Sequence, residues 1–270
     1  MMRTPFDPPK KAPAHPALTR LGRGLFAALF YLLLWQGLAM LVGKEVYLPS
    51  PLRVMEVLWG LVQTGGFWLA CLGSLLRVLL GFVLAVVFGA GLSLLTSFLP
   101  AARPLIAPAL HVVKATPVAS FILIALIWLP GNFVPVFIAF LMVLPVVWGN
   151  LCEGFQSADV QLLEAARVCR FSPQKTLRLV YLPAVQPYFF AACKTGAGLA
   201  WKAGIAAEAL GRTAHSIGRG IYDSKMYLEI PQLFAYTAAL ILLSLAFERL
   251  LAAILRRAAR ARTKGAPHGK

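Results

Sequence analysis

Apolar residues in this chain fall in long, nearly unbroken runs, without the alternation of a half-buried strand or the narrow stripe of a soluble helix. Six runs stand out, at residues 24–42, 73–97, 105–129, 133–151, 188–206 and 233–255. Each is near the roughly 20 residues that carry a helix across a bilayer. The third is the least regular, because Pro104, Pro108 and Pro117 lie in or beside it, and Pro130-Gly131-Asn132 turns tightly into the fourth. Pro135 and Pro145 fall inside the fourth, where neighbouring helices can satisfy the carbonyls they free. The pattern predicts an all-α, polytopic membrane protein with six transmembrane helices in a domain over residues 24–255. A Pro-rich basic tail, 1–23, is expected to be disordered and cytoplasmic, and a second basic tail covers 256–270.

A polar segment, 153–187, interrupts the apolar pattern and reads as two short helices. Ser157 is placed to cap the first, with Asp159 in its first turn, and Val160, Leu163, Ala166 and Val168 recur at roughly helical spacing. A break follows at Arg170-Phe171. Ser172 with Pro173 behind it starts a second helix, carrying Leu177, Val180 and Tyr181, and Pro183 is expected to stop it.

Composition agrees: 59% of the 270 residues are hydrophobic and 13% charged, with a mean hydropathy of +0.75, which excludes an ordinary soluble domain. The net charge of +16 sits mostly at the ends of the apolar runs. Arg3, Lys10, Lys11, Arg20 and Arg23 precede the first run, and Arg249, Arg256, Arg257, Arg260, Arg262, Lys264 and Lys270 lie in or after the last. Arg167, Arg170, Lys175 and Arg178 mark the polar segment, whereas 44–72 and 207–232 are balanced. The positive-inside rule therefore puts both termini and 153–187 in the cytoplasm. Charge distributed in this way suits anionic lipid headgroups rather than nucleic acid.

Little catalytic chemistry is in view. Cys71, Cys152, Cys169 and Cys193 have no metal-ligand spacing, His15, His111, His215 and His268 are scattered, and no phosphate-cradling P-loop occurs. No metal or cofactor is expected on this chain, and any ATP-driven step must use a second polypeptide. Gly196, Ala200 and Gly204 form a smooth face on the fifth run, as Ala85, Gly89 and Gly91 do on the second, suited to close helix packing or to a subunit interface. Lys114, Lys202 and, close in sequence to the latter, Glu208 are candidates for lining a pathway, since a charge near the bilayer centre costs at least ~2.5 kcal/mol on insertion scales. Lys194 and Arg77 are expected to snorkel. An ion-coupled secondary transporter would need inverted repeats and intramembrane carboxylates; no clear repeat is seen, and no Asp or Glu lies inside runs two to five.

Glu164-Ala165-Ala166, three residues, Arg170, nine residues, then Val180-Tyr181-Leu182-Pro183 resembles the EAA loop of bacterial ABC importer permeases. Val180 stands for the family's Ile, and Arg170 for its Gly, where a left-handed turn would cost a residue with a Cβ roughly 1 kcal/mol. Leu48-Pro49-Ser50-Pro51, Ser74-Leu75-Leu76-Arg77-Val78 with Gly81-Phe82, and Trp201 to Glu208 followed by Ser216-Ile217-Gly218 are similar to segments of the nitrate/sulfonate/taurine-type members. Lys114-Ala115-Thr116-Pro117 departs from them. The resemblance implies a type I ABC importer permease fold. It implies that Glu164, Ala165 and Ala166 dock on an ATPase subunit, with Arg170 at the bend and Leu182-Pro183 closing the loop. The partners it implies are that ATPase, an extracytoplasmic substrate-binding protein and a second permease subunit, with the substrate a small solute such as a nitrate-, sulfonate- or taurine-like anion.

Overall fold

A computed structural model describes residues 16–264, and among these every regular element is helical. In chain order they are α1 (Pro16–Val42), α2 (Pro51–Val62), α3 (Gly65–Phe98), α4 (Arg103–Ala115), α5 (Val118–Trp128) and α6 (Val134–Gln156). There follow α7 (Val160–Val168), α8 (Pro173–Thr176), α9 (Leu182–Gly211), α10 (Ile217–Met226) and α11 (Ile230–Lys264). Helix α6 is central and packs most extensively on α9 and α3. Val78, Ala139, Val143, Ala192 and Ala197, contributed by these three helices, are completely buried.

The windows Leu25–Val42, Gly65–Phe98, Val134–Gln156 and Ile230–Arg257 are each long and apolar enough to cross a membrane. Helices α4 and α5 together form a fifth, broken candidate, bent by 105°. The 30-residue α9 is about 45 Å long at 1.5 Å per residue and completes a set consistent with six crossings. It is less apolar because Gly196, Ala200 and Gly204 lie inside the bundle, where small size rather than hydropathy matters. A methyl group on Gly196 would sit 2.9 Å from Val143 Cγ1, and one on Gly204 2.8 Å from Val78 Cγ2. This face is used within the chain, against α6 and α3. Ala85 and Gly89 likewise face inward, while Gly91 has open space.

Several boundaries differ from the sequence expectation, each for a local reason. Residues 16–23 and 256–264, expected in tails, continue α1 and α11; residues 1–15 and 265–270 lie outside the described residues. Segment 44–72 holds a whole helix. Ser50 Oγ accepts from Arg53 N at 3.3 Å and Pro51 fills the first position, so the Leu-Pro-Ser-Pro segment is a helix start. Helix α3 then begins eight residues earlier than expected, at Gly65, with Thr64 as its cap. The third run breaks at Thr116, held extended (φ −81°, ψ 134°) by the proline that follows it.

Candidate functional site

At one end of the bundle α6, α7, α8 and α9 enclose the EAA-like loop. The cap of α7 is Asp159, whose carboxylate accepts from Gln161 N at 2.8 Å, and not Ser157, whose hydroxyl donates back to Gly154 O to close α6. A carboxylate is the better acceptor at the positive end of a helix, which accounts for the difference. Ser172 caps α8 as expected, accepting from Lys175 N at 3.3 Å. Pro183 does not stop the second helix. A five-residue π-turn over Leu177–Tyr181 widens the backbone just before it, so the chain passes from α8 into α9 without a break.

The bend after α7 is a left-handed C-cap. Arg170 has φ +50°, its N–H bonds Arg167 O at 3.0 Å, and Phe171 N bonds Ala166 O at 2.9 Å. This is the paired 5→2 and 6→1 arrangement that glycine usually serves. Arg170 therefore adopts the backbone of the glycine it replaces and bears the strain of its Cβ.

Two faces of α7 have opposite fates. Ala166 is buried with Ala158 and Val180, with Leu163, Phe171 and Tyr181 packed around them. Behind this cluster Phe98, Phe155 and Tyr181 meet at centroid distances of 5.4–5.9 Å, tying the π-turn on which α7 rests to the ends of α3 and α6. Val160, Glu164 and Val168, four residues apart, form an outward stripe, with Val160 66% and Val168 83% exposed. Ala165 is also exposed, so of the two alanines only Ala166 serves internal packing. Arg167, Arg170, Lys175 and Arg178 are exposed around the stripe; Lys175 Nζ lies 3.9 Å from the centroid of the Phe171 ring. Leu182 is half-buried and Pro183 exposed at the start of α9.

The opposite end of the bundle carries a buried polar cluster that joins three separate sequence segments. Glu208, with no exposed surface, receives Ser74 Oγ at 2.6 Å, Arg77 Nη1 at 3.1 Å and Gly218 N at 3.3 Å. Ser74 Oγ also accepts from Ile217 N, and Arg77 donates to Ala214 O and His215 O. Arg77 is therefore the ion-pair partner of Glu208 and not a snorkelling cation. The carboxylate is satisfied on both oxygens, which a buried charge requires. The cluster clamps α3, α9 and α10 around the turn 212–216, where Arg212 and His215 are both left-handed at φ +47°.

Lys202 is exposed on α9 and forms no ion pair with Glu208. Lys114 is exposed in the last turn of α4 and lines a groove of about 290 Å³ against α6 with His111 and Arg103. Sequence reasoning missed the aromatic cluster and the Arg77–Glu208 pair. Its available signal was one cation and one carboxylate isolated in apolar surroundings.

The model of the binding-protein-dependent transport system inner membrane component family matches residues 78–260, a stretch that holds α7 and Glu208 and begins one residue after Arg77. The chain belongs to this family. It is the multi-pass permease component of a binding-protein-dependent ABC importer, not an enzyme. It is similar to a probable ABC transporter permease protein of Brucella melitensis, at 30% identity over 213 residues, 78% of this chain and 86% of that one. It is similar to the bicarbonate transport system permease protein of Synechocystis, at 28% identity over 74% of this chain and 75% of that one. With the taurine transport system permease protein of Escherichia coli it shares 25% identity over 79% of this chain and 80% of that one.

Proposed function

We propose that this permease is driven by a separate ATPase subunit seated on the exposed face of α7, and that it imports a small anion delivered by an extracytoplasmic binding protein. The supporting observation is the outward stripe Val160–Glu164–Val168 with Ala165 beside it, on a helix whose other face packs on Val180 and Tyr181 of the π-turn that leads into α9. A short amphipathic helix with one free apolar face is suited to a groove on a partner. Its rigid backing would pass a push into the bundle. ATP would bind the partner, and this chain is expected to need no nucleotide, metal or other cofactor of its own. Bicarbonate and taurine, named for two relatives, set the expected size and chemistry of the substrate.

The chain works as a pair, with a second copy or a close relative, in a bacterial plasma membrane. Both termini and α7 face the cytoplasm, where the basic tails meet anionic lipid. The clamp around Glu208 then lies on the outer side, holding α10 toward the binding protein. The test is uptake of bicarbonate, taurine or a short alkanesulfonate into proteoliposomes holding the permease and its ATPase. Uptake that requires ATP and the binding protein is expected. Uptake with the ATPase omitted would contradict the reading.

A further inference from the structure

Helix α4 is amphipathic in a protein whose surroundings are mostly lipid. Arg103, Ala107, His111 and Lys114 fall on one face at helical spacing, and Leu105 and Val112, 79% and 63% exposed, lie on the opposite one. The basic face does not point away from the protein. It forms one wall of the groove against α6, whose other wall includes Pro145, Trp148 and Glu153. The imidazole of His111 meets the Trp148 indole edge-on at 6.3 Å.

The level of its α6 neighbours argues against an ordinary snorkelling account for Lys114. Pro145, which shares the groove with it, is the midpoint of the 23-residue α6. Along α4, Lys114 is about 16 Å from Arg103 at 1.5 Å per residue, so the two cations occupy different levels of the groove. Among the described residues neither Arg103 nor Lys114 has an ion-pair partner. An unpaired cation at mid-membrane facing lipid would be costly, and one facing a water-filled route would not. The α4–α5 break at Thr116-Pro117 lies directly beyond Lys114. Non-helical backbone at membrane depth is tolerated where it is buried in protein or lines such a route.

We infer that the α4–α6 groove is a wall of the translocation route, and that Arg103, His111 and Lys114 form a stepped track along it that selects a small anion. This rests on the importer reading above and adds the residues that discriminate charge. Lys202 and Glu208 have no place in the track; the first lies on α9, and the second is consumed by the Ser74–Arg77 clamp.

The test uses Ala107→Cys, in the middle of the track, in a Cys152→Ala, Cys169→Ser background that removes the native thiol lining the groove and the exposed one. The complex with its ATPase, in inside-out membrane vesicles, is treated with the anionic sulfonatoethyl methanethiosulfonate or its cationic trimethylammonium analogue. Rates are normalised to those of a free thiol in solution. The anionic reagent, itself a short alkanesulfonate, is expected to be favoured by about tenfold, the lower end of the enrichment a focused field gives. Lys114→Gln should reduce that preference several-fold, and Lys114→Arg should restore it, separating charge from folding. An introduced thiol that neither reagent reaches, with or without ATP, would show that lipid or a second subunit covers the groove and would overturn the inference. So would a preference unchanged by Lys114→Gln. Co-purification of the ATPase in the same vesicles reports the importer reading separately, so either can fail alone.

Discussion

The two ends of this molecule solve opposite problems. At the α7 end the chain keeps a surface open: Val160, Glu164 and Val168 are exposed, basic side chains stand in solvent around them, and the turn at Arg170 is strained. At the other end it closes a surface: Ser74, Arg77 and Glu208 are drawn inward until the carboxylate has no contact with solvent. Polar residues at the first end are spent on a partner, and at the second on the chain itself. Buried charge with full satisfaction gives a specified geometry, whereas exposed charge in high dielectric gives little stability. Substitutions at the two ends should therefore separate folding from coupling.

The largest effect is expected from Arg77→Ala. It leaves Glu208 buried beside only Ser74 and Gly218, and removal of one partner of a buried pair costs roughly 3–5 kcal/mol. A strong loss of folded protein in detergent, read by thermal unfolding, is expected. Arg77→Gln combined with Glu208→Gln should recover much of it, because no buried charge is left alone. Equal instability of the single and double variants would mean that the pair matters for shape rather than charge.

Next comes Gly218→Ala. Its new methyl would lie 2.5 Å from Glu208 Cβ and 2.6 Å from Ala209 N, and backbone cannot step aside cheaply. A destabilisation of about 1–3 kcal/mol is expected, as for overpacking elsewhere, visible as a lower unfolding midpoint with α10 more open to hydrogen exchange. An unchanged midpoint would show that α10 is not clamped.

At the α7 end the signature reverses. Ala165→Asp and Glu164→Lys change exposed side chains, so stability should move by no more than ~0.5 kcal/mol, while ATPase co-purification and ATP-driven uptake are lost. A variant that transports normally would remove α7 from the coupling role. The smallest effect is expected from Arg170→Gly, which relieves the left-handed backbone and should stabilise the α7 turn by up to about 1 kcal/mol. Slower amide exchange at Phe171, whose N–H closes the turn on Ala166 O, is the readout.

The same contrast explains what the sequence discloses. The α7 end is local: a cap, a fixed spacing and a turn residue lie within 153–187 and are legible in order. Even there the π-turn before Pro183 was not, because only the continuing helix beyond it makes a widened turn worthwhile. The other end is built from residues 131 or more positions apart, Arg77 with Glu208 and Ser74 with Ile217. Linear reading finds the three segments and cannot bring them together. Helix α2 went unseen because Arg53, Glu56 and Gly60 interrupt its twelve residues, so no long apolar run marks it.

The central claim, that α7 is the seat of a separate motor on the inner membrane face, is tested most directly by thiol protection. A cysteine at Glu164 in the Cys169→Ser background is treated with a membrane-impermeant maleimide in intact cells, in inside-out vesicles, and in such vesicles stripped of peripheral subunits. The account predicts no labelling in cells, protection in native vesicles and rapid labelling after stripping. Labelling from outside the cell, or equal labelling with and without the ATPase, would contradict it.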